Sequence, residues 1–197
     1  MTVSFAIALL VATPVQFDVL IAGQKSGIGS IEQRLLEDGR KLNRVEMKFP
    51  DLGIDVAQES TYNPDGSPYR MLQTTVRNGK REVRHAVFDG KVVAYSGTDI
   101  ETAGVPYPAG GVAAPSEFWF LRDLPIQGEK VLYYRFDLGT GAWKSATASY
   151  VGPRETVLGG KVWKVHRTIV DGVKSDLDER GDPVRIELQN GIVLERR

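Results

Sequence analysis

From residue 81 to 88 the chain reads REVRHAVF, and an extended backbone puts Val83, His85 and Val87 on one side and Glu82, Arg84 and Ala86 on the other. Segments of this kind, rich in Val, Ile, Thr, Tyr and Phe, recur between dipeptides that favour chain reversal. These are Asp38-Gly39, Asp65-Gly66, Asn78-Gly79, Asp89-Gly90, Gly159-Gly160, Asp171-Gly172 and Asn190-Gly191. A two-residue type I′ turn needs positive φ at both central positions, which Asn or Asp followed by Gly adopts at least steric cost. The pattern predicts strands at 17–22, 27–36, 41–49, 54–62, 69–77, 81–88, 91–95, 130–137, 143–151, 161–170, 173–177, 184–189 and 192–195, some merging with their neighbours. Short turns between successive strands make this an antiparallel meander in a mainly all-β chain.

Residues 97–128 interrupt the alternation. The first half, GTDIETAGVPYPAGGVAAP, has the Gly and Pro density of a long loop. The second half, PSEFWFLRDLP, predicts a short helix at 115–122, with Pro115 in its first turn and Pro125 beyond its end. Phe118, Leu121 and Leu124 would form its apolar stripe. A lone helix in a β protein covers a sheet face or plugs a barrel mouth.

Composition narrows the chemistry. At 197 residues the chain suffices for one domain with a sizeable core, and 25 basic against 25 acidic side chains give no net charge to drive nucleic-acid binding. There is no cysteine, which excludes disulfides, thiolate nucleophiles, iron-sulfur ligation and cysteine-ligated zinc. The apolar run 3–12 is too short to span a bilayer and suits the central region of a secretory signal, although no Lys or Arg precedes it. Residues 1–15 therefore read as a signal peptide or leader, and 16–197 as a single β-rich domain in the periplasm or outside the cell; a buried first strand is the other reading of the apolar run.

Candidate chemistry is sparse. His85 and His166 lie in separate predicted strands, with no third ligand or nucleophile at a recognisable spacing. No G-x-S-x-G or S-x-x-K occurs, and GQKSGIGS at 23–30 lacks the spacing of a phosphate loop. In the acidic segment after Ser175, Asp176, Asp178, Gly181 and Glu187 match a calcium loop, but Arg180 puts a cation where an oxygen ligand belongs. No catalytic residue, metal or cofactor is assigned. The aromatic residues are the one constellation that points to binding. Phe118, Trp119 and Leu121 of the predicted helix, with Tyr133, Trp143 and Trp163 of the following strands, either fill the core or line an apolar pocket.

The order of landmarks adds a resemblance. PSEFWFLRDLPIQGEKVLYYRFDLGTGAWKSATASYVGPRETV, KVWKVHRTIVDG and SDLDERGDPVRIELQNGIVLER resemble a family of bacterial cell-envelope proteins known as a domain of unknown function. FDVLIAGQKSGIGSIEQRLLEDG is similar to that family's opening hairpin, and a related segment precedes some transglutaminase-like domains. The resemblance implies a large curved antiparallel sheet or half-barrel, similar to the periplasmic lipoprotein carriers, with the helix on its concave side. It implies no established activity. The expectation is a non-enzymatic envelope protein binding a lipid or acyl chain between sheet and helix. The alternative is a structural or protein-interaction module without a small-molecule ligand.

Overall fold

The computed structural model describes residues 13–109 and 127–197. They form one sheet of fourteen strands: β1 (Val15–Ile21), β2 (Gln24–Leu35), β3 (Lys41–Phe49), β4 (Ile54–Tyr62), β5 (Pro68–Arg77), β6 (Lys80–Phe88), β7 (Val92–Gly97), β8 (Ile100–Pro106), β9 (Lys130–Asp137), β10 (Ala142–Leu158), β11 (Lys161–Val170), β12 (Val173–Leu177), β13 (Pro183–Glu187) and β14 (Ile192–Arg196). From β1 to β8, and again from β9 to β14, each strand pairs antiparallel with the next. β1 also pairs with β14, with Val19 opposite Leu194, so the ladder is continuous from β8 through β1 to β9.

The turns explain why the chain reverses where it does. Asn78-Gly79 (φ 49° and 80°) and Asp171-Gly172 (φ 50° and 79°) have both residues left-handed, as a type I′ hairpin requires. The Asp38-Gly39 turn instead bonds Gly39 N–H to the Leu36 carbonyl at 3.0 Å and Leu36 N–H to the Arg40 carbonyl at 2.7 Å. Its only left-handed residue is the glycine, the geometry of a longer hairpin loop. The Asp65 and Asp89 carboxylates complete similar turns by accepting backbone N–H bonds from Ser67 and from Lys91 and Val92.

Register shifts at Val19/Leu20, Thr61/Tyr62, Tyr95/Gly97, Tyr150/Gly152 and Asp176/Leu177 bend and coil the sheet. It rolls until its two ends meet face to face. Ala86, Phe88, Val93 and Tyr95 of β6 and β7 bury against Phe136, Leu138 and Trp143. Among the described residues β8 and β9 share no ladder, so side-chain packing rather than an edge-to-edge hydrogen-bond row joins the ends.

Several expectations need correction. Residues 100–106, expected in a loop, form β8. The strand expected at 143–151 runs to Leu158, making with β11 a ribbon whose outer part pairs with no further strand. β1 begins at Val15, one residue inside the expected leader boundary. The helix at 115–122 lies outside the described residues, as do residues 1–12. Among the described residues the one helical element is a 3-10 turn at Pro50–Leu52, and no helix is long and apolar enough to cross a membrane.

Candidate functional site

The rolled sheet leaves space inside. Side chains of β2 and β3 face those of β11 to β14 across a cavity of about 320 Å³. Ile31, Val45 and Met47 form one side; Val173, Leu177 and Leu194 contribute to the other and to the floor. Further along the roll, β4 and β5 face β9 to β12 across a second cavity of about 300 Å³, lined among others by Ser60, Met71, Tyr133 and Trp143. Val173 lines both, so the two spaces adjoin. Each is of the size at which small-molecule sites begin. A wider recess of about 800 Å³ shares Ile31 and Gln33 with the first cavity and is rimmed by Arg180, Asp182, Arg196 and Arg197.

The wall formed by β11 and β12 is braced from behind. Thr168 and Leu177 line the first cavity, so their chain neighbours Arg167 and Asp176 point to the opposite face. There Arg167 donates from Nε and a terminal nitrogen to the two Asp176 carboxylate oxygens, both at 2.8 Å. Asp176 is 1% exposed, and a fork of this kind is the pairing a buried carboxylate requires. The hydrogen bond to Asp176 holds the Arg167 guanidinium above its ordinary pKa, Glu187 adding to the effect. The acidic segment that matches a calcium loop in spacing thus spends its first carboxylate on an arginine.

The histidines stay apart. Arg70 Nε donates to His85 Nε2 at 3.1 Å, and burial together with the Arg70 charge lowers the His85 pKa. His166 shares a 2.8 Å hydrogen bond between Nδ1 and the Tyr150 hydroxyl. Among the described residues no group of three His, Asp or Glu side chains could hold a metal ion. The first cavity, partly open to solvent, has mostly aliphatic walls with a few uncharged polar groups, and the second adds Arg135 and Asp171, paired at 2.7 Å.

Of the six residues expected to line a pocket, Phe118, Trp119 and Leu121 lie outside the described residues. Tyr133 and Trp143 do meet at the second cavity. Both also belong to packed clusters, Tyr133 with Ala146, Ala148 and Tyr150, and Trp143 with Phe88, Phe136 and Tyr107. Trp163 lines neither of these two cavities. It stands on the part of β11 that runs past β12, where Lys161 covers its ring at 3.9 Å and Arg196 approaches to 5.4 Å. The residues that enclose the first cavity were not singled out in the sequence. Their one local signal is the appearance of uncharged Gln33, Asn43, Gln58 and Ser60 in phase with apolar positions of β2 to β4.

No protein-family model matches the chain, and no curated protein does. Among solved structures, it is similar to a DUF1089 family protein from Pseudomonas aeruginosa, at 13% identity over 82% of this chain and 89% of that one, with a TM-score of 0.42, below the level at which folds can be equated. It is also similar to a beta-barrel-like protein of the domain of unknown function DUF1849 from Brucella abortus, with a TM-score of 0.65 at 10% identity over 95% of this chain and 96% of that one. The fold is therefore that of a β-barrel-like bacterial domain of unknown function.

Proposed function

We propose that the protein is a non-enzymatic component of the cell envelope that binds a lipid or acyl chain in the hollow of its curved sheet. The observation that carries this reading is the cavity of about 320 Å³ walled by Ile31, Val45, Met47, Val173, Leu177 and Leu194. Apolar ligand surface withdrawn from water there contributes about 25 cal/mol per Å², with no charged anchor needed. The apolar run at 3–12 and the resemblance to envelope proteins support the location.

Native mass spectrometry of the protein purified from its own host should show a co-purifying lipid. Val173 borders both cavities, so Val173→Phe should block uptake of a lipophilic dye while leaving the thermal midpoint within a few degrees of wild type. Dye uptake unchanged by that plug would refute the hollow as the site. A second reading, an interaction module of the envelope, is favoured by the outer edge of β9, which pairs with no strand among the described residues and where Leu132 is 71% exposed. It predicts a lipid-free protein and a partner whose capture is lost in Leu132→Asp.

A further inference from the structure

A hydrocarbon is a poor match for the whole hollow, because one wall carries a row of uncharged polar groups. Gln33 of β2 pairs with Asn43 of β3, and Asn43 with Ser60 of β4, so the three lie side by side across the strands. Gln33 lines the wide recess and the first cavity, Asn43 the first, and Ser60 the second. The row thus crosses the adjoining spaces from one end to the other. Gln58, two residues from Ser60 and on the same face, donates to the Ser60 hydroxyl at 3.3 Å, a long bond. Trp143 borders the same cavity as Ser60, and its indole N–H is buried with no hydrogen-bond acceptor among the described residues.

A ligand made only of methylenes would leave the Trp143 N–H without an acceptor and strip water from the half-buried Gln33, the unfavourable half of the hydrogen-bond asymmetry. Charge is the weaker alternative: the two charged residues that line the second cavity, Arg135 and Asp171, pair with each other at 2.7 Å. At the wide recess Arg196 already binds Asp178 at 2.8 Å and Arg197 binds Asp18 at 2.6 Å, while Asp182 stands beside Arg180 on the rim. From this geometry we infer that the occupant is an acyl chain bearing uncharged hydrogen-bonding groups, of the ester, amide or hydroxyl class, laid along the Gln33–Asn43–Ser60 row. The inference rests on the binding reading above and specifies its ligand.

The test is displacement of the reporter N-phenyl-1-naphthylamine from the full chain by three competitors of equal chain length, compared at equal free concentration: 1-dodecanoylglycerol, dodecane and dodecanoate. Dodecanoylglycerol should displace the reporter about tenfold more effectively than dodecane, the size of effect expected when polar groups find partners. The preference should shrink to about threefold or less in Gln58→Leu/Ser60→Ala. It should also shrink in Trp143→Phe, which keeps a ring and removes only the N–H, so the test survives if the double variant does not fold. Equal displacement by dodecane overturns the inference, as does a preference that persists in both variants. So does a stronger preference for dodecanoate that vanishes in Arg180→Ala. A reporter that does not bind the wild-type protein at all overturns the hollow itself as a binding site.

Discussion

Where β6 and β7 lie over β9 and β10, rings fill the interior; a few strands away the same sheet encloses empty space. At the filled end Phe136 meets Phe88, Tyr95 and Trp143 at centroid separations of 5.7, 5.8 and 5.4 Å, all edge-to-face. The Tyr95 hydroxyl, reaching across the overlap, donates to the Leu138 carbonyl at 2.8 Å. At the first cavity the inward residues include Val45, Asn43, Thr168 and Val173, too short to meet across the roll. Backbone and ladder are alike in both regions. Side-chain reach at the inward positions is what separates a latch from a container.

The largest test of that contrast is a pair of truncations. Phe136→Ala should cost about 3–5 kcal/mol of unfolding free energy, because it removes a ring packed edge-to-face against three others. Val45→Ala, beside a cavity that already exists, should cost about 1 kcal/mol or less, since fewer contacts are lost. Urea titration of both variants measures the difference, and equal losses would erase the distinction between the two ends. A smaller effect is expected from Gly141→Ala. The added Cβ would stand 2.4 Å from the Tyr95 ring at a φ of +65°, and overpacking of this kind costs about 1–3 kcal/mol. Tyr95→Leu in the same chain should recover part of the loss if the clash is its cause.

The smallest effect is acid sensitivity of the filled end. Burial pushes the Asp137 carboxyl up, but hydrogen bonds from Lys144 and from the N–H groups of Gly139 and Thr140 outweigh it and leave the pKa below its ordinary 3.8. A lowered pKa contributes stability that is present above the unfolded value and lost as pH falls through the folded one. Asp137→Asn should therefore lower the urea midpoint at neutral pH, and the gap to wild type should narrow as pH falls below the carboxyl's ordinary 3.8. A gap of constant size would show that the turn geometry, not the charge, is what matters.

Much of the ladder was legible because its cues are local. Alternation and Asp-Gly or Asn-Gly steps mark most hairpins, and the strands at 41–49 and 54–62 agree with β3 and β4 to the residue. The Ala22-Gly23 turn was not marked, since alanine at φ 50° is a conformation its Cβ disfavours. β8 was hidden by Gly104, which weakens a strand pattern, and by Pro106, which a central strand would not tolerate but an edge strand does. The hollow was harder to see. Its walls come from strands more than a hundred residues apart, and their facing depends on bulges that no periodicity announces. The sequence drew attention to Tyr133, Trp143 and Trp163 because aromatics favour pockets; Tyr133 and Trp143 border the second cavity, whereas the first is lined by shorter side chains.

One consequence of the unladdered overlap between β8 and β9 concerns girth. A closed barrel has a circumference set by strand number and shear, and widening it means breaking backbone hydrogen bonds. A strip wound past its own end carries no such constraint: among the described residues no rung joins β8 to β9, and its girth is set by the packing of Phe88, Tyr95, Phe136 and Trp143.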